Sequence, residues 1–180
     1  MRFLHVRKGG EHFRVADPAW EDPLDGSYSK TKGGRWNSLG SFPVVYLNAS
    51  LSVARANVLR QFEGLPWGPE DLNPSKAPIL VVCRVPEADF VDLVSSDGCR
   101  SVGLPDTYPL DENGDIIPQE RCHPIGKEAW DSGAAGIAYR SAALKRNHND
   151  DELVWFEREN RLNLMKTIQF DDWYWIDNEI

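Results

Sequence analysis

The stretch GGRWNSLGSFPVVYLNASLSVARAN, residues 33–57, decides the fold of this chain. Its two glycines permit the positive φ angles and the close backbone approach of a tight bend, which ends in Arg35. The run VVYLN predicts a strand over Val44–Asn48, and Ser50 is a suitable N-cap for a helix that follows it. We therefore expect a bend, a strand and a helix that together wall a cleft.

The helix predicted after Ser50 has one apolar face. Apolar residues recur along it at helical spacing, at Leu51, Ala54, Val58 and Phe62. Asn57 lies three residues after Ala54, so we expect its side chain at the margin of the buried face, where the helix meets the cleft.

Outward from this region, apolar or alternating runs predict further strands. These runs cover residues 12–16, 77–85, 89–94, 134–142, 152–157 and 164–170. Residues 17–34 and 95–124 are rich in proline and glycine and predict loops, the second an irregular excursion over the surface. The sum predicts one α+β domain over residues 1–180, with more strand than helix.

Composition limits the possible partners. The 180 residues include 20 Lys and Arg against 28 Asp and Glu, a formal charge of −8, which disfavours nucleic-acid binding. Lys30, Lys32 and Arg35 nevertheless cluster at the double glycine and would attract a small anion there. No apolar run approaches the ~20 residues of a membrane span, and the N-terminus lacks a signal-peptide core. Three cysteines fit no zinc spacing, so we expect a cytoplasmic protein without a metal or a membrane segment.

Several polar or aromatic side chains are candidates for a ligand site. Arg35 suits a phosphate because its planar fork pairs with two oxygens, although a Gly-Gly-Arg triplet more often ends in an exposed turn arginine. Trp36 either stacks on a base or nicotinamide ring or, more often in such a place, packs in the core. Tyr46 either donates to a ribose or phosphate or is a half-buried strand residue. Ser141 has no neighbouring His–Asp pattern, so it suits a hydrogen bond better than a nucleophile, and His123 is interpreted as a loop residue.

Blocks spread over nearly the whole chain resemble the RES domain, which is named for its arginine, glutamate and serine. The blocks are FRV at 13–15, DPL at 22–24, GGRWN at 33–37, VVYLNAS at 44–50 with the helix after it, and GIAYRSA at 136–142. The resemblance implies an ADP-ribosyltransferase-like fold of small sheets with flanking helices. It also implies a bacterial toxin that depletes NAD by phosphorolysis or hydrolysis, uses no metal and pairs with an Xre-type antitoxin. Homodimers are possible, and some members transfer ADP-ribose to a protein.

Carried over by position, the resemblance places NAD-contacting arginines on Arg14 and Arg35, a site tyrosine on Tyr46 and the serine on Ser141. The family's glutamate falls on Asn57, which retains hydrogen bonding but lacks the charge and one methylene. Cleavage of the nicotinamide–ribose bond passes through an oxocarbenium-like state that a carboxylate stabilises. Loss of such a group commonly costs on the order of 10²–10³ in rate.

Three explanations of Asn57 stay open. It serves adequately as it stands, with the arginines supplying binding and orientation. Alternatively, another carboxylate replaces it; Glu152 is the first choice, since Glu63 lies nearly across the helix from Asn57. In the third explanation, the protein binds NAD or a relative without cleaving it. The predicted function is a NAD-consuming toxin, with a silent NAD-binding or interaction module and a protein ADP-ribosyltransferase as alternatives.

Overall fold

The computed structural model describes residues 1–144, 151–158 and 162–176. Its elements, in chain order, are β1 (His5–Ala16), α1 (Ser27–Lys32), β2 (Val44–Asn48), α2 (Leu51–Arg60), a 3-10 turn (Pro69–Asp71), β3 (Ile79–Leu93), α3 (Ser96–Ser101), α4 (Gln119–Asp131), β4 (Gly136–Arg140), β5 (Asp151–Phe156), β6 (Asn163–Ile168) and α5 (Phe170–Trp173). More of the described residues lie in strands than in helices, so the predicted α+β class is confirmed. No helix in these ranges is long and apolar enough to span a membrane.

The six strands form one mixed sheet in the order β1-β2-β5-β4-β3-β6. Because β1 also pairs with β3, the first five strands close on themselves. The pairing of β3 with β4 is parallel, and the other pairings are antiparallel. Residue Asn48 of β2 lies opposite both Phe13 of β1 and Glu152 of β5, so this end of β2 connects the two strands.

Apolar clusters pack on both faces of the sheet. The strand β2 shows why: Val44 and Tyr46 contribute to one cluster, whereas Val45 and Leu47 contribute to another. This is the period-two alternation of a strand that is covered on both sides. A third cluster packs α2 against β3 and the C-terminal helix α5.

The strand β2 and the N-cap of α2 follow the sequence prediction closely. Ser50 Oγ accepts the backbone N–H of Val53 at 3.2 Å, and α2 begins at the next residue, Leu51. Three boundaries differ. The strands predicted at 77–85 and 89–94 are one continuous strand, β3, and β1 begins earlier than the predicted residue 12. The loop predicted over 17–34 contains the short helix α1.

The prediction of an irregular surface excursion over residues 95–124 is wrong. The segment contains α3 and the start of α4, and Tyr108 and Ile117 are buried in the core. Long-range contacts hold it. Arg140 of β4 donates to the carbonyl oxygens of Val94 (2.6 Å), Asp106 (2.5 Å) and Tyr108 (3.0 Å).

Candidate active site

A cavity of about 320 Å³ opens between the glycine bend, α2 and the edge formed by β2, β5 and β4. Polar side chains from these elements line it: Arg35 from the bend, Tyr46 and Asn48 from β2, Asn57 from α2, Tyr139 from β4 and Glu152 from β5. Its size lies at the lower end of the range of ligand cavities, roughly 300–1,000 Å³.

The bend is locked to β2 through Tyr46. The Tyr46 hydroxyl donates to Asn37 Oδ1 (2.7 Å) and accepts the backbone N–H of Trp36 (2.9 Å). A Cβ added at Gly34 would lie 2.5 Å from Tyr46 Oη, so only glycine allows this approach. Burial raises the pKa of Tyr46, which therefore acts as a neutral phenol. These contacts with Tyr46 fix the backbone on both sides of Arg35.

Arg35 is only 8% exposed, yet most of its donor groups are unused. Nη1 donates to the carbonyl oxygen of Ile117 at 2.9 Å and makes a long contact with Cys122 Sγ at 3.9 Å. Within the described residues, neither Nε nor Nη2 forms a hydrogen bond, and no carboxylate pairs with the guanidinium. Because a buried guanidinium requires partners, the free donors favour an anionic ligand in the cavity.

Glu152 of β5, the strand that pairs with β2, supplies a carboxylate to the cavity wall. Its Oε1 accepts from Ser141 Oγ at 2.6 Å, and its Oε2 accepts from the Tyr139 hydroxyl at 2.6 Å. The side chain is buried, at 9% exposed, and forms no ion pair with any residue that the structure describes. Burial, followed by the proximity of Glu152, raises the pKa of Tyr139 well above its ordinary value, so this hydroxyl remains a donor.

Asn57 joins α2 to this carboxylate. Its Nδ2 donates to Asn48 Oδ1 at 2.8 Å and more weakly to Glu152 Oε1 at 3.3 Å. Asn48 in turn donates to the carbonyl oxygen of Phe13 at 3.0 Å. The Asn57 amide therefore lies beside the Glu152 carboxylate. The cavity thus contains a carboxylate next to residue 57, although residue 57 itself has no acidic group.

The structure brings together most of the predicted site residues. Arg35, Tyr46 and Asn57 line the cavity, and Ser141 reaches it through Glu152. His123 lies in α4 rather than in the predicted loop, with Nε2 2.9 Å from the carbonyl oxygen of Gly34 at the bend. His148, interpreted from the sequence as a solvated residue, lies outside the described residues.

Arg14 and Trp36, which are predicted to contact NAD, do not line this cavity. Successive side chains of β1 point to opposite faces, so Val15 lines the cavity while Arg14 lies behind the sheet and donates to the carbonyl oxygen of Asp25 at 3.4 Å. Burial lowers the pKa of Arg14 to about 10. Trp36 is fully buried, with its ring 5.3 Å from that of Tyr139, which agrees with the packing interpretation and leaves no face for stacking.

Sequence patterns alone underrated two cavity residues. Glu152 is an acid at the start of the apolar run ELVWFE. A buried acid needs hydrogen-bond or charge partners, so its place in this run was the one sequence feature that pointed to a site. Tyr139 gave no signal apart from its place in a strand. Glu63, the other acid considered, is exposed beyond the end of α2 and does not line the cavity.

One cysteine, Cys122, lies beside Arg35 at the cavity. Burial raises the pKa of Cys122, so the group beside Arg35 is a neutral thiol. The ranges that the structure describes contain no cluster of three or more His, Cys, Asp or Glu side chains suited to a metal ion.

Comparison with known proteins gave one family and one fold. The family model described as the RES domain matches residues 11–177. Among solved structures, a chain of the crystal structure of the M. tuberculosis MbcT–MbcA toxin–antitoxin complex is 22% identical, with a TM-score of 0.75 over 94% of this chain and 91% of that one. At this identity the likeness concerns the fold, which is ADP-ribosyltransferase-like. No curated protein sequence matches the chain.

Proposed function

We propose that this chain, which belongs to the RES domain family, consumes NAD as the toxin of a bacterial toxin–antitoxin pair. One observation carries the proposal: buried Arg35 and buried Glu152 line the same cavity, and the two opposite charges do not pair with each other. Such an arrangement suits a ligand that is anionic at one end and develops positive charge at the other. The fold shared with a chain of a toxin–antitoxin complex supports the toxin role.

Arg35 would bind the diphosphate of NAD. Its unused Nε and Nη2 groups supply donors in one plane, as a phosphate requires. Tyr46 contributes indirectly, because its hydroxyl is already engaged by Trp36 and Asn37 and holds the bend in place. Ser141 would lie on the ribose and nicotinamide side, next to the carboxylate.

Glu152 would stabilise the reacting sugar. When the nicotinamide–ribose bond breaks, nicotinamide leaves with the bonding electrons and positive charge develops on the ribose ring. The carboxylate offsets that charge, and water or phosphate then adds to the anomeric carbon, water losing a proton. The products are nicotinamide and either ADP-ribose or its 1-phosphate.

Asn57 would then be a positioning residue. Its amide donates to the Glu152 carboxylate and to Asn48, so it fixes the angle at which the charge is presented. The charge that the helix lacks is therefore supplied by the neighbouring strand. This geometry favours an active enzyme over a silent NAD-binding module.

The direct test is to incubate the purified protein with NAD, with and without phosphate, and to measure nicotinamide release by chromatography. We expect release that Arg35→Ala abolishes, and the second product identifies the acceptor. Bound NAD without release at high protein concentration would instead favour the silent module. Transfer of label from NAD to a protein in a lysate would favour the ADP-ribosyltransferase alternative.

The partner would be an Xre-type antitoxin acting in the cytoplasm, and the toxin itself would self-associate as a homodimer. Expression of the chain alone should arrest bacterial growth, and co-expression of a small helix-turn-helix protein encoded beside it should relieve the arrest. Normal growth with the chain alone, at confirmed expression, would contradict the toxin role. Light scattering of the purified chain tests the dimer.

A further inference from the structure

A second cavity, of about 350 Å³, adjoins the first. Val15 of β1 and Gln61 at the end of α2 line both cavities, so the two lie next to each other. Their linings differ in chemistry. The first holds Arg35 and Glu152, whereas the second has aromatic and aliphatic walls together with one acidic and one basic side chain, Asp17 and Lys76.

Two aromatic rings in tilted contact form one wall of the second cavity. The rings of Trp20 and Tyr28 have centroids 4.3 Å apart, and the guanidinium of Arg14 lies 5.1 Å from the Trp20 ring. Tyr28 remains 45% exposed, so one side of the pair is accessible. Val58 and Phe62 of the α2 side complete an apolar floor. This combination suits a flat, weakly polar ring system.

The aromatic wall is fixed to the same strand as the polar cavity. Ser29, which follows Tyr28 in α1, has its Oγ 2.6 Å from the carbonyl oxygen of Val44 and accepts the Val44 N–H at 3.0 Å. Val44 begins β2, the strand that also carries Tyr46. The spacing between the aromatic and polar cavities is therefore set by a rigid element.

We propose that the cavity walled by Trp20 and Tyr28 is the subsite for the adenine base of NAD, a proposal that rests on the function proposed above. A base stacked there places the diphosphate of the same molecule towards the neighbouring cavity and Arg35. The enzyme accordingly prefers a dinucleotide over nicotinamide mononucleotide, which cannot reach the aromatic wall.

The test compares Tyr28→Ala with Tyr28→Phe on two substrates. With NAD, the alanine variant raises KM about tenfold, in line with the loss of one base–aromatic stack, while the phenylalanine variant keeps the wild-type value. With nicotinamide mononucleotide, none of these variants changes KM. Trp67→Ala is the matched control, because Trp67 is 54% exposed and lines neither cavity. Equal effects of Tyr28→Ala on both substrates would overturn the subsite.

Titration with AMP tests the subsite without turnover. We expect AMP to bind the wild-type protein and to bind Tyr28→Ala about tenfold more weakly. Equal AMP affinity in both proteins, or no AMP binding to the wild type, would overturn the proposal. If NAD is not cleaved at all, the proposed function fails, and the AMP titration alone decides the subsite.

Discussion

Arg35 and Arg140 are both buried arginines, but the chain uses them in opposite ways. Arg140 donates through Nε, Nη1 and Nη2, to three carbonyl oxygens and to the Ser96 hydroxyl, and so anchors the segment after β3 to β4. Arg35 lines a cavity and has one short hydrogen bond, to Ile117; its Nε and Nη2 have no hydrogen-bond partner among the described residues. Burial alone does not separate a structural arginine from a binding one. The donors that the protein leaves unused do.

Two glutamates show the same contrast. Glu157 accepts the backbone N–H of Gly26 at 2.8 Å and lies near Arg14, so its charge has partners within the fold. Glu152 accepts only from neutral donors among the described residues and faces the cavity. A substrate that develops positive charge would supply the missing partner.

The largest effect tests this second contrast. Glu152→Gln retains the size and much of the hydrogen bonding of the side chain but removes its charge, so we expect kcat for nicotinamide release to fall by on the order of 10²–10³. Glu157→Gln, the matched control, should leave kcat unchanged. Circular dichroism melts check that both variants are folded. Equal loss in the two variants would mean that the charge at 152 has no special role.

The arginine pair gives a crossed prediction. Arg35→Lys loses the planar fork and should lower kcat/KM for NAD about tenfold with little change in stability. Arg140→Lys loses several donors and should lower the free energy of unfolding by about 2 kcal/mol, with kcat intact. Urea unfolding and steady-state kinetics on both proteins supply the comparison. It fails if Arg140→Lys lowers activity and Arg35→Lys lowers only stability.

The third prediction tests whether a carboxylate on α2 can replace the one on β5. Asn57→Glu in the Glu152→Gln background returns a carboxylate to the cavity from α2, beside the original position. We expect it to recover about tenfold of the lost rate, measured as nicotinamide release. As control, Glu63→Gln in the same background changes nothing, since Glu63 is exposed away from the cavity. No recovery in a folded double variant would show that the charge acts only from the strand.

The smallest effect lies behind the sheet, at His12. Burial, and next to it the charge of Lys8, lowers the pKa of His12 below 6.5, so the unfolded chain binds the proton more readily than the folded one. The free energy of unfolding should therefore be fully retained above pH 6.5 and decline as the pH falls below it. His12→Asn should reduce this pH dependence of the free energy of unfolding. Urea unfolding of both proteins at pH 5 and 7.5 measures it. An unchanged slope would assign the dependence to other groups.

These contrasts also show which parts of the molecule could be predicted from sequence. The strand Val44–Asn48 and the cap at Ser50 depend on neighbours within a few residues, and both appear where the pattern places them. The carboxylate at Glu152 was only one of two candidates, because its partners come from β4 and α2 and meet it only through sheet register.

The segment before β4 escaped prediction for a similar reason. Its prolines and acids are typical of a loop, but Tyr108 and Ile117 are buried by contacts with distant strands. Pro124 lies inside α4, where local rules would end a helix. Arg14 shows how strand alternation divides neighbouring residues: Val15 lines the polar cavity, whereas Arg14 lies on the opposite face of β1, beside the ring of Trp20.

Gly34 has a consequence for selection experiments. A methyl group there would lie 2.5 Å from the Tyr46 hydroxyl oxygen and 2.7 Å from its ring, which would push apart the bend and the strand. If growth arrest is used to collect escape mutants, substitutions at position 34 should recur among the survivors beside those of the charged residues. Gly34 would then score as essential although it has no side chain, because the absence of a Cβ allows the bend to pack against Tyr46.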